Sequence, residues 1–121
     1  MSESGHQKPL TPAVLHILLA LADEDRHGYA IMKQVKIDTL GQVTMGPGTL
    51  YGSLGRMMKA GFVEESQSRV DPEIDDERRI YYGITANGRE ALKSELSRYR
   101  QAVALAKDRK LALEAKAHGA S

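Results

Sequence analysis

Between Gly46 and Val63 the chain reads GPGTLYGSLGRMMKAGFV, and this stretch constrains everything around it. Gly46-Pro47-Gly48 makes a tight turn, and the fixed φ of Pro47 suits the first turn of a helix. Leu50, Leu54, Met57 and Met58 then recur at i, i+4, i+7 and i+8, the spacing of one apolar helical face. Thr49, Gly52, Arg56 and Lys59 take the opposite face, and no acidic residue lies anywhere in the stretch. Gly61 stops the helix, and Phe62-Val63 begins something extended. A slim, hydroxyl-bearing, cationic face fits a DNA groove, where bulk or negative charge would exclude it. The same pattern describes an ordinary surface helix with two solvated cations, so the window alone leaves both readings open.

What precedes it is helical. Met1–Pro9 reads as a flexible tail. Thr11-Pro12 is an N-cap followed by proline at the first helical position, and Val14, Leu15, Leu18, Leu19 and Ala22 continue as a largely apolar helix. The charged run Asp23–Gly28 ends that helix in a turn. A second amphipathic helix spans Tyr29 to about Thr39, with Ile31, Met32 and Val35 inward and Lys33 and Lys36 outward. Gly41 closes it, and Val43 is placed for a brief extended contact before the Gly46-Pro47-Gly48 turn.

Beyond Gly61 the period changes. Val63–Ser66 and Arg79–Ile84 read as two strands of a hairpin joined by a long polar loop, Arg69–Arg78. Three helices and a hairpin describe a winged helix, mainly α with a small β-hairpin. Thr85 caps a last helix, expected from Ala86 to Ala115 and about 45 Å long; Asn87-Gly88 is a local weakness near its start. Along it Leu92, Leu96, Tyr99, Val103 and Ala106 are spaced 4, 3, 4 and 3 apart, a heptad-like seam weakened by alanine and by Lys110 at the next position. A stripe of this kind at a chain end usually buries itself on a partner, and a second copy is expected in preference to a solvated tail. The expected organisation is a tail over 1–9, a winged-helix domain over 10–85, a dimerisation helix over 86–115 and a tail over 116–121.

Composition narrows the function. A chain of 121 residues holds one core, and with aromatic content at 5 % aliphatic side chains and methionine must fill it. There is no cysteine, hence no disulfide and no thiolate metal site. No apolar run approaches the roughly 18 residues of a membrane span, and Met1–Lys8 lacks a signal-peptide core, so a soluble cytoplasmic protein is expected, with no membrane partner. Gly46-Pro47-Gly48-Thr49 lacks the lysine of a phosphate-binding loop, the four histidines are scattered, and no nucleophile–base set is present. Neither catalysis nor a metal or other cofactor is expected.

Charge is uneven although the net is only +1. From Val63 to Ile80 seven acids face three arginines, which argues that the hairpin loop bends away from phosphates or pairs with its own arginines. Arg78 and Arg79, at the base of the second strand, either reach a phosphate or neutralise the acids before them. Tyr29 and Tyr51 each fall in the first turn of a helix, where a hydroxyl beside free N–H groups meets a phosphate or, as tyrosines there more often do, packs half-buried. Thr49 and Ser53 are placed to reach base edges without selecting between them, so sequence preference would rest on Arg56 and on DNA shape.

Thr11–Leu15, His27–Ile31, Gly46–Tyr51, Ala60–Val63, Asp76–Tyr82 and Ile84–Gly88 together resemble the PadR family of bacterial transcriptional regulators, in that family's order and spacing, over about Leu10–Ala106. The resemblance implies a winged-helix DNA-binding domain with a carboxy-terminal dimerisation helix, and a repressor that leaves its operator, an inverted repeat in double-stranded DNA, when a small effector binds. It also favours DNA contact for Tyr51. Some small members hold flat aromatic effectors between their terminal helices with tryptophan; this chain has none, and Tyr99 is the aromatic ring available there. The acidic hairpin loop is a second departure. Two functions are therefore weighed: a homodimeric DNA-binding repressor using Tyr29, Thr49, Tyr51, Ser53, Arg56, Lys59, Arg78 and Arg79, and a winged helix serving only as a protein-interaction module.

Overall fold

The computed structural model describes residues 8–66 and 79–113. Thr11 Oγ1 accepts the Val14 N–H at 3.2 Å and Pro12 starts α1 (Pro12–Leu21). This helix is apolar nearly all round, and Ile17, Leu18, Ala20 and Leu21 are at most 1 % exposed. A helix with that composition belongs at the centre of the core. The charged run after it contains a short strand, β1 (Arg26–His27), where only a turn was expected. Arg26 holds it in place. Its Nε donates to the Ala20 carbonyl at 2.6 Å, and its guanidinium pairs with Asp23 and Glu24.

Two helices with narrower stripes lie against α1. Helix α2 (Gly28–Asp38) contributes Ile31 and Val35, and α3 (Pro47–Lys59) contributes Leu50, Leu54 and Met57. Met58, expected on the buried face, is 36 % exposed because it lies at the edge of the stripe rather than within it. Val43 makes no extended pairing: Thr39 Oγ1 accepts its N–H at 3.0 Å and folds the connection back on the end of α2.

The hairpin follows, β2 (Val63–Ser66) antiparallel to β3 (Tyr81–Ile84), with Val63 opposite Ile84 and Ser66 opposite Tyr81. On its other edge β3 pairs with β1, Arg26 opposite Tyr82, giving the order β1-β3-β2. Arg79 and Ile80, expected inside the second strand, precede it. The polar loop expected over Arg69–Arg78, and Arg78 with it, lies outside the described residues, as do most of the expected amino-terminal tail and the 116–121 tail.

Thr85 joins the hairpin to α4 (Ala86–Asp108): its Oγ1 accepts the Gly88 N–H at 2.9 Å and donates to the Gly61 carbonyl at 2.6 Å. Gly88 is a packing requirement rather than a weakness, since a Cβ there would sit 2.2 Å from the Phe62 carbonyl oxygen. With 23 residues α4 is about 35 Å long and ends at Asp108, short of Ala115. Lys110 adopts φ +66°, and the Lys110 and Leu111 N–H groups close back on Lys107 and Ala106, a C-terminal cap formed without glycine. Leu92, expected in a dimer seam, is 6 % exposed and packs into the protomer's own core.

A candidate nucleic-acid interface

At 3.6 residues per turn each residue of α3 advances about 100°. Measured from Leu50, Leu54 and Met57 fall within about 40°, Ser53 about 60° to one side and Met58 about 80° to the other. Ser53 is accordingly buried, at 2 % exposure, and does not look outward toward a base edge as expected. It serves instead as an acceptor: Arg56 Nη2 reaches its Oγ at 3.4 Å, laying the arginine along its own helix. Thr49, Gly52, Arg56 and Lys59 are exposed on the far side, as their spacing implies. Gly46 caps this helix without a side chain, so its first turn is open.

Tyr51 leads from this face to a second group of residues. It is 49 % exposed, and its hydroxyl lies only 2.1 Å from where a Cβ on Gly28 would stand. Any side chain at Gly28 would displace the phenol, so glycine is required for this approach. Around the contact His27, Gly28, Tyr29, Tyr51, Arg79, Ile80 and Tyr82 line a hollow of about 250 Å³ at the amino end of α2. Four elements, β1, α2, α3 and β3, and the segment before β3 meet there. Burial first, then the neighbouring Tyr51 and Glu65, raise the Tyr82 hydroxyl above the ordinary phenol value, so it stays protonated.

His27 organises this hollow and was not anticipated. Its Nδ1 accepts the Ala30 N–H at 3.2 Å and caps α2, a task usually given to serine, threonine or aspartate. Its ring lies parallel to Tyr29, centroids 6.5 Å apart, and meets Tyr81 edge-on at 5.3 Å. Arg79 Nη1 stands 3.2 Å from its Nε2. The sequence signal was present, because a polar ring immediately before a glycine-started helix occupies the capping position. The hollow therefore presents a guanidinium, tyrosine hydroxyls and an imidazole beside a helix amino terminus, all suited to a phosphate oxygen.

The expected seam on α4 divides. Leu96, Tyr99 and Val103 are 38 %, 44 % and 49 % exposed, and Ala106 is half-buried. Tyr99 is tied inward by its hydroxyl, which hydrogen-bonds the buried Glu95 carboxylate. Burial pushes that carboxyl up, but the Tyr99 hydroxyl, the Leu10 N–H and Arg98 outweigh it and hold Glu95 below the usual carboxylate range. The same bond raises Tyr99, with burial and the Glu95 charge adding to it and Arg98 opposing. Among the described residues no cluster of His, Asp or Glu is placed to hold a metal, and no helix is long and apolar enough to cross a membrane.

Known proteins share this fold. The sequence profile of the transcriptional regulator PadR-like family matches residues 17–94. A transcriptional regulator from Clostridium thermocellum has the same fold, with TM-score 0.64 and 25 % identity over 79 % of this chain and 87 % of that one. A PadR family transcription regulator from Clostridium difficile is alike in fold, with TM-score 0.64 and 22 % identity, covering 81 % of this chain and 97 % of the other. A 37.1 kDa protein of transposon TN4556 from Streptomyces fradiae is 36 % identical over 83 residues, 69 % of this chain. The chain spans 21 % of the length of that relative.

Proposed function

The chain belongs to the PadR-like family of transcriptional regulators, DNA-binding proteins rather than enzymes, and from that premise we propose that it acts as a homodimeric repressor released from its operator by a small effector. One observation carries the DNA-binding geometry: the acid-free outer face of α3 runs through Tyr51 into the hollow of Tyr29, His27 and Arg79. In this reading α3 enters the major groove with Thr49, Arg56 and Lys59, and the hollow takes a backbone phosphate of the same half-site. Arg56 leaves Ser53 to reach a base edge. Ser53, buried beneath it, does not touch DNA itself.

The exposed stripe of Leu96, Tyr99 and Val103, continued by the half-buried Ala106, supports the dimer. Two copies joined there present paired α3 helices, which must lie about 34 Å apart, or a multiple of it, to enter successive major grooves. Repression then follows from occupancy of an inverted repeat. β3 passes through Thr85 directly into α4, so a ligand lodged against Tyr99 would tilt α4 and change that separation.

A labelled promoter fragment tests the reading. Arg56→Ala should cost roughly 1–3 kcal/mol of binding, and Lys59→Ala should lower the salt slope by about one. Unchanged affinity and slope in both variants would remove α3 from the interface.

A further inference from the structure

Helix α2 has a second face that, Tyr29 apart, the DNA reading does not use. Opposite its buried Ile31 and Val35, the residues Tyr29, Lys33, Lys36 and Ile37 look outward, and with Met32, Thr44 and Met45 they line an open groove of about 520 Å³. Ile37 is 57 % exposed, and Leu40, at the end of the same face, is 88 % exposed in a left-handed conformation that leucine rarely adopts. Met32, Ile37 and Met45 form an aliphatic floor and Lys33 and Lys36 the cationic rim. No carboxylate lines the groove, and among the described residues neither lysine takes part in an ion pair.

The lining selects its occupant. Phosphates would satisfy the lysines but leave the thioethers and Ile37 uncovered, and a neutral hydrocarbon would leave the lysines unpaired. The volume falls in the range of small-ligand sites, about 300–1,000 Å³. A stable protein interface needs about 800 Å² from each partner, more than seven lining residues supply. Methionines, unbranched and flexible, fit a chain-shaped apolar body better than a rigid one. We propose that this groove binds a free aliphatic carboxylate of the fatty-acid class, its chain along Met32, Ile37 and Met45 and its carboxylate between Lys33 and Lys36.

The site is placed to act on DNA binding, and this consequence rests on the function proposed above. Tyr29 lines both this groove and the phosphate hollow, and Met45 immediately precedes Gly46, the cap of α3. A chain seated on Met45 and Tyr29 shifts both contacts at once. Linkage then requires DNA and carboxylate to weaken each other by the same factor.

The test uses the full chain with dodecanoate below its micelle concentration, and dodecanol as the uncharged counterpart, followed through the methyl NMR signals of Met32, Ile37 and Met45. Dodecanoate should saturate those signals. Replacing both lysines (Lys33→Gln with Lys36→Gln) should weaken dodecanoate by at least about tenfold and leave dodecanol unaltered, since the carboxylate then keeps neither charged partner. Dodecanoate should also release DNA from the parent protein but not from the double variant. Shifts confined to Leu96 and Val103, an absence of saturation, or equal dodecanoate affinity in the double variant would each overturn the assignment. So would a response to an acidic amphipathic peptide but not to dodecanoate, which would mark a protein-docking face, or a loss of DNA affinity in the double variant as large as that of Arg56→Ala. If the parent binds no DNA while dodecanoate still saturates the groove, the ligand site stands and the DNA reading falls.

Discussion

The two halves of α4 carry one sequence pattern and meet opposite surroundings. In the first half Ala91, Leu92 and Glu95 are 2 %, 6 % and 3 % exposed, and Leu92 packs into the core, where α4 meets α1. In the second, Leu96, Tyr99 and Val103 continue the same stripe at 38–49 % exposure. Heptad spacing records that a face is covered without saying by what. Here the covering changes from the protomer's own core to, in the proposed dimer, a second copy, and the change comes at Glu95.

The largest test of that division is Leu92→Ala. Removing a buried leucine side chain leaves a cavity, and the cost should be 2–5 kcal/mol of folding stability, in the general range for such truncations. Thermal or denaturant unfolding at fixed protein concentration measures it. A loss below about 0.5 kcal/mol, the range of a surface substitution, would mean that the first half of α4 is no more part of the core than the second.

Val103→Asp addresses the other half. In a monomer the aspartate stands in water, so intrinsic folding should change by no more than about 0.5 kcal/mol. In a dimer it places a carboxylate in an apolar seam, at a cost of several kcal/mol in association. Sedimentation over a concentration series should show the parent as dimer and the variant as monomer. Its unfolding transition should then cease to depend on protein concentration. A parent that remains monomeric at high concentration would end the dimer reading, and with it the paired α3 geometry.

How far the sequence foretold this follows the same line. The winged helix was legible because each element carries its own signal: Thr11-Pro12, Gly46-Pro47-Gly48, Gly61 and Thr85 each stand at a boundary of the structure. β1 was not, because two residues have no period and their pairing partners in β3 lie far along the chain, His27 being 54 positions from Tyr81 and Arg26 still further from Tyr82. Within the site, Thr49, Arg56 and Lys59 lie where spacing placed them. Ser53 was misplaced by its chemistry: a hydroxyl suggests an outward face, but its helical angle lies nearer the buried stripe than that of Met58. Leu92 was misread for the opposite reason, since its spacing is that of the seam and only the position of the core decides which surface it meets. The hollow is assembled from β1, α2, α3, β3 and the segment before β3, so no local pattern announces it. Gly28 is a mark of it that becomes readable only once Tyr51 is seen against it.

Tyr99→Phe asks for the smallest effect and divides the two halves within one residue. Its ring lies on the exposed stripe, while its hydroxyl reaches back to Glu95. The variant keeps the ring and removes the hydrogen bond, so self-association should persist. The lost bond to a charged acceptor, screened because the phenol is half-exposed, should lower stability near neutral pH by no more than about 1.5 kcal/mol. The pH dependence fixes the source. Glu95 titrates lower in the folded chain than in the unfolded one, so it adds stability above the unfolded value, lost as pH falls through the folded one. Without the Tyr99 hydroxyl, one of the groups opposing the burial is gone and the folded value must rise. The gap between the two states then narrows, and the variant should lose less stability on acidification than the parent does. Unfolding midpoints of both proteins from neutral pH to below the ordinary carboxylate range would display this as converging curves. Parallel curves would mean that Tyr99 does not support the Glu95 charge. Dissociation of the dimer in Tyr99→Phe would mean that the hydroxyl serves the seam as well, and that the boundary at Glu95 is not sharp.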